Sequence, residues 1–174
     1  MSQYYHAVYK MNDHDVETLS QEELGEIHKE VKATCRRAFV DALTKMMTDD
    51  PPAYDWIVKL YREIRDRLTA VLQKESALRK EIESSMDIEL FSQMIRNDAF
   101  QPEDLHRLVA YTFAKCQDLG SPGRDDETDR KMQEIVDLMQ SETSSLATVV
   151  PVYIVNLNHC IDMVYEDLHQ LLTA

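Results

Sequence analysis

The sequence predicts an all-α bundle of about six helices joined by short loops. Three observations carry that expectation. Apolar residues recur at spacings of three and four along most of the chain. Only three glycines and five prolines interrupt 174 residues. No segment alternates with period two for long enough to insist on a strand. The length is that of one domain, and such a domain buries roughly 70% of the surface its unfolded chain exposes.

Residues 1–19 are polar and weakly periodic, and are expected to be loosely held; the helical domain runs over 20–174. Ser20-Gln21-Glu22-Glu23 has the capping-box pattern that opens a helix. Leu24, Ile27, Val31, Cys35, Ala38 and Ala42 then form one apolar stripe, which Phe39, Leu43 and Met46 widen. Pro51 and Pro52 stop this helix by Asp50. Asp50 is expected to cap a second helix with the prolines in its first turn. Tyr54, Ile57, Tyr61, Ile64, Leu68 and Val71 line that helix, and Leu78 and Ile82 extend it or begin a short continuation. Asp87 to Asn97 reads as a third helix. Pro102 opens a fourth with Leu105, Leu108, Val109, Thr112, Phe113 and Cys116 inward. Gly120-Ser121-Pro122-Gly123 is the strong break. Asp125-Asp126-Glu127 suits the N-terminus of a fifth helix, where carboxylates complement the macrodipole; Met132, Ile135, Val136 and Met139 form its stripe. Pro151 starts or kinks the last helix. Val149 to Val155 is β-branched enough to be a strand but leads straight into helical spacing.

The net charge of -13, from 32 acidic against 19 basic residues, disfavours nucleic acid and anionic membrane surfaces. Basic or apolar protein partners stay open. Cys35, Cys116 and Cys160 include no Cys-x-x-Cys pair, so no zinc knuckle or redox motif is expected. Residues 1–10 lack an apolar signal core. The apolar run Leu146–Leu157, interrupted by Thr148 and Pro151, is short for a bilayer span. These features place the chain in a reducing, aqueous, cytoplasmic compartment, with no membrane insertion.

Glu103-Asp104-Leu105-His106 and Glu166-Asp167-Leu168-His169 each set a Glu and a His three residues apart, on one helix face. Two such elements, with a Glu from each of two further helices, build the di-metal site of ferritin-like bundles. Glu63 and Glu134 are the notional further ligands. The weightier reading is that Glu103 complements its helix dipole and Leu105 and Leu168 mark the core face, so no metal, cofactor or catalytic residue is assigned. Asn12, Asp13, Asp15 and Glu17 start like a calcium loop, but Thr18 replaces its glycine and Leu24 its last carboxylate. No glycine-flanked serine elbow or phosphate loop occurs. The basic run Lys59, Arg62, Arg65 and Arg67, with Arg79 and Lys80, has Glu63 and Asp66 interleaved, which favours a solvated, salt-bridged face over a docking face.

Five motifs in order carry a family resemblance. Phe39 stands on the first helix. Asp50-Pro51-Pro52-Ala53-Tyr54-Asp55 and Lys59-Leu60-Tyr61-Arg62-Glu63-Ile64-Arg65 follow. Leu78-Arg79-Lys80-Glu81-Ile82, Met86-Asp87-Ile88-Glu89-Leu90 and Ser121-Pro122-Gly123-Arg124-Asp125 complete the order. Over Ala38 to Asp126, with an echo at Val136–Met139, the chain resembles the t-complex protein 11 family. It departs in placing Gly120 and Ser121 where the family has a Cys before the turn. It is also shorter than typical members, as a minimal form lacking C-terminal helices. The resemblance implies an all-helical fold without established enzymatic activity and an association with cyclic-AMP and protein kinase A signalling.

The chain therefore reads as a non-enzymatic protein-interaction module, an adaptor or regulator in signalling, with a protein partner and with self-association compatible. The candidate contact residues are Pro122, Arg124 and Asp125 in the turn, with Ile154, Leu157, Ile161, Val164 and Leu168 on a last helix left partly uncovered. Helix-in-groove recognition is the expected mechanism. The alternatives are the ferritin-like metalloprotein, which needs its glutamates and histidines to converge, and a survival-factor-like helix binder, for which the Asn-Trp-Gly-Arg signature is missing.

Overall fold

The computed structural model describes residues 20–174, and the expectations for residues 1–19 and the calcium-loop start lie outside them. Among the described residues it is all helical: α1 (Gln21–Thr48), α2 (Tyr54–Ala70), α3 (Ala77–Ser85), α4 (Ile88–Arg96), α5 (Pro102–Leu119), α6 (Asp125–Gln140) and α7 (Leu146–Thr173). A 3-10 turn, Pro122–Arg124, precedes α6. Contacts divide the chain into two units between Ala38 and Phe39, inside α1.

Local chemistry sets most helix starts. Ser20 and Glu23 exchange backbone-to-side-chain bonds of 2.8 and 3.2 Å, the expected capping box. Asp87 accepts from the amide of Leu90 at 3.0 Å and caps α4. Gln101 and Asp104 form a reciprocal box at α5 with Pro102 in its first turn. Two starts differ from expectation, and one settles an alternative. Asp50 does not cap α2, because a turn closed by Ala53 N–H to Met46 O (2.9 Å) delays that helix to Tyr54. Of the two alternatives for Leu78 and Ile82, the structure holds the short continuation: α2 ends at Ala70, and Ser76 caps α3 separately. The last helix begins at Leu146, where Ser145 and Thr148 form a capping box, so Pro151 sits inside it. Pro151 lies in the second turn, past the free N-terminal amides. It removes the bond an amide there would make to the Ala147 carbonyl, and the helix continues beyond it to Thr173. Val149–Val155 is helix, not strand.

In the unit Phe39–Ala174, α7 packs on α2, α5 and α6, while α2 also contacts α3 and α4. Its core includes Ile64, Leu68, Ile82, Leu105, Phe113, Ile135, Leu157 and Ile161, all almost fully buried. Tyr61 and Phe91 stack at 4.1 Å between centroids, with Phe100 edge-on to Phe91 at 5.4 Å. Two of the buried hydroxyls pair with each other: Thr112 Oγ1 meets Tyr153 OH at 2.9 Å. Asn156 Nδ2 donates to Lys131 O (3.0 Å) and to Glu134 Oε2 (2.9 Å), bridging α7 to α6. α7 is long and apolar enough to cross a membrane, and most of its apolar window is buried in the bundle. In the unit ending at Ala38, every described residue is exposed except Val31, which is half-buried.

Candidate protein-interaction surfaces

The Pro122–Asp125 turn is an ion-pair clamp. Arg124 projects onto the end of α7, donating from Nη2 to Glu166 Oε2 (3.2 Å) and Asp167 Oδ1 (3.1 Å). Its Nε donates to Asp167 Oδ1 at 3.3 Å. The hydrogen bond and charge of Asp167, then Glu166, hold the guanidinium even more firmly protonated than usual. Asp125 begins α6, and its carbonyl accepts from Gln117. Pro122 is exposed, whereas Arg124 and Asp125 are half-buried, so the turn's polar groups chiefly tie α6 to its neighbours. The close fit explains the departure at Gly120. A Cβ there would lie 3.0 Å from Cys116 O and 3.4 Å from Val164 Cγ2.

The second half of the alternative metal site is this same clamp. Glu166 serves Arg124, His169 is exposed near the chain's end, and Glu103 and His106 are exposed on α5. Glu63 is also on the surface, while Glu134 accepts from Asn156. The side chains do not converge, and no group of three or more potential ligands occurs among the described residues. Dipole and ion-pair roles account for these glutamates.

The last helix is not uncovered where the sequence placed a contact face. Ile154, Leu157, Ile161 and Val164 are core residues, and Leu168 is half-buried. The reason is that α7 is flanked by α2, α5 and α6 rather than left at an edge. Large exposed apolar residues on it are Tyr165, Leu171 and Leu172.

Two features were not assigned from sequence. A cavity of about 360 Å³ opens beside α2, α4, α5 and α7; Tyr54, Tyr61, Phe91, Phe100, Leu105 and Tyr153 are among its lining. Burial pushes the Tyr61 hydroxyl up to about 12. The second feature is α1 before Ala38. Its stripe is exposed: Leu24 is 36% and Ile27 37% accessible, Val31 is half-buried and Cys35 exposed. The signal was present as a row of opposite charges on the same stretch, acids first and bases last.

Elsewhere, polar chemistry is structural. The basic run is mostly paired: Arg65 with Asp66, Arg67 with Asp162, Arg79 with Glu83, and Lys80 with Glu75. Lys59 sits over the exposed Trp56 ring at 4.8 Å. Burial raises the Cys116 thiol to about 12 and the Cys160 thiol to about 11, which leaves both protonated and unreactive.

Fold and surfaces define an acidic helical bundle whose first helix carries an exposed apolar stripe. The chain belongs to the t-complex protein 11 family, whose profile, T-complex protein 11, matches residues 11–162. The match reaches beyond Ala38–Asp126 in both directions. The human T-complex protein 11 homolog is 32% identical over 108 residues, a stretch covering 62% of this chain and 21% of that protein. No solved structure matches the chain.

Proposed function

We propose that this protein is a non-enzymatic interaction module with a regulatory role, and that its contact face is the exposed stripe of α1. The observation carrying this reading is that Leu24, Ile27 and Val31 keep helical spacing on a stretch in which no residue is buried. An apolar ridge on an exposed helix is what helix-in-groove recognition uses. Family membership supports a regulatory role. The finer proposal is that the role lies in cyclic-AMP and protein kinase A signalling, in the cytoplasm.

Affinity capture from a cell lysate tests both levels. The full chain should retain protein partners that the Leu24→Asp/Ile27→Asp variant loses. Identical sets from both proteins would remove α1 as the contact face. A stripe-dependent set without cyclic-AMP signalling components would remove only the finer reading.

A further inference from the structure

We propose that Ser121 is a phosphorylation site for a proline-directed protein kinase, and that its phosphoryl group draws Arg124 away from the end of α7. Nothing in this depends on the α1 contact face.

The turn has the form such a kinase accepts. Of the five prolines in the chain, only Pro122 follows a serine or threonine. A proline after the acceptor serine carries no N–H, so it suits a substrate groove that would leave an amide there unpaired. Arg124 stands three places after the serine, and its side chain is 37% exposed. Ser121, Pro122 and Gly123 are all exposed. Ser121 is extended, at φ -85° and ψ 145°, and its hydroxyl has no hydrogen-bond partner among the described residues. Its Oγ lies 3.8 Å from the place a Gly123 Cβ would take, so it faces back over the turn, where glycine leaves room for a larger group. In the transfer, Ser121 Oγ bonds to the γ-phosphorus of ATP and the bond from that phosphorus to its bridging oxygen breaks. ADP leaves, and the hydroxyl proton passes to the kinase's base.

The product is close to a dianion, beside an arginine that already serves two carboxylates. Residues three apart eclipse in a 3-10 turn, and the Arg124 amide donates to Ser121 O at 3.0 Å, so phosphate and guanidinium share one side of it. Two forces then act in the same direction. The phosphate, tethered in the turn and facing water, competes with Asp167 and Glu166 for Arg124. It also repels those carboxylates, as do the acids Asp125, Asp126 and Glu127 that open α6. Asp167 is the more sensitive of the pair. Its side chain is only 19% exposed, Oδ1 takes both Arg124 bonds, and Oδ2 is buried with no partner among the described residues. A half-buried carboxylate deprived of its cation is destabilising, and the end of α7 relieves it by turning that side chain into water. Leu171 and Leu172, already 75% and 86% exposed, offer little packing to resist.

The test treats the full chain with a purified kinase of the cyclin-dependent class and Mg-ATP. Intact-mass analysis should show one phosphoryl group added, and Ser121→Ala should take none. Amide hydrogen exchange over Glu166–Thr173 should then quicken by about threefold to tenfold, while the buried stretch around Leu157 keeps its protection. Glu166→Gln/Asp167→Asn leaves the kinase motif intact and removes the acceptors. Its end of α7 should exchange fast before treatment, and phosphorylation should add nothing further. A native chain that takes no phosphoryl group at Ser121 would overturn the site, even if the unfolded chain takes one. Unchanged exchange in the phosphorylated protein, or an equal rise in the Glu166→Gln/Asp167→Asn variant, would overturn the release of α7.

Discussion

α1 and α7 are each 28 residues long, and both carry apolar residues at helical spacing, yet their fates differ. α7 buries eleven residues, from Val149 to Val164. α1 buries one, Leu43. The difference lies in stripe width. α7 offers large side chains on most of its circumference, so three helices can pack around it. α1 before Ala38 offers a narrow ridge that Cys35 and Ala38 complete with little bulk. Periodicity alone reports that a helix has an apolar side; width and side-chain volume decide whether a core forms on it.

Substitution should break that comparison most sharply. Leu157→Ala, at a fully buried position, should cost about 2–5 kcal/mol in denaturant unfolding. Leu24→Ala should stay within about 0.5 kcal/mol of wild type, as surface substitutions do. Equal losses would mean that the Leu24 stripe is part of the folding core.

Thiol chemistry sharpens it next. Cys35 on α1 is exposed, whereas Cys116 and Cys160 are buried. A thiol reagent near pH 8 should label Cys35 alone in the native protein and all three after unfolding. The pH dependence follows in sign. Burial first, then the facing Cys160, raises Cys116 to about 12; burial also raises Cys160, to about 11, against the hydrogen bond from Thr128. A raised folded-state value means the stabilisation is complete below the unfolded thiol's value of about 8.5 and is lost as pH climbs toward 11 and 12. Alkaline melting should therefore fall steadily above pH 9, and replacing Cys116 with Ala should flatten that fall.

The smallest effect concerns the end of α7. Arg124→Ala should lower the melting temperature modestly, by less than Leu157→Ala. The loss should shrink in high salt, since Arg124 and Glu166 are more than a third exposed. A salt-independent loss would point to the packing of the arginine stem instead.

Much of the fold was legible because its signals are local. Ser20–Glu23 and Asp87 announce their helices by side-chain bonds to nearby amides, and the stripe of α2 at Ile57, Tyr61, Ile64 and Leu68 became core as its spacing implied. The start of α7 was not legible, because Pro151 could either start or kink that helix, and the true boundary, the Ser145–Thr148 box, lacks the usual acid. The surfaces were legible only in part. Glu166 and His169 resembled half of a metal site, whereas Arg124, more than forty residues away, holds Glu166 together with Asp167. Likewise, apolar spacing marked the faces of both long helices without saying which one the bundle would enclose.

The buried amide of Asn156 carries a consequence for uniqueness. Two smooth apolar helix faces can slide past each other by one turn, about 5.4 Å, with little change in buried area. Asn156 cannot follow such a slide, because its donors reach the Lys131 carbonyl and the Glu134 carboxylate at one alignment of α7 on α6. A shifted alignment strands a polar group in the interior, at about 1–3 kcal/mol. The residue thus works as a registry pin: it adds little to how tightly the two helices adhere and selects the single alignment in which they do.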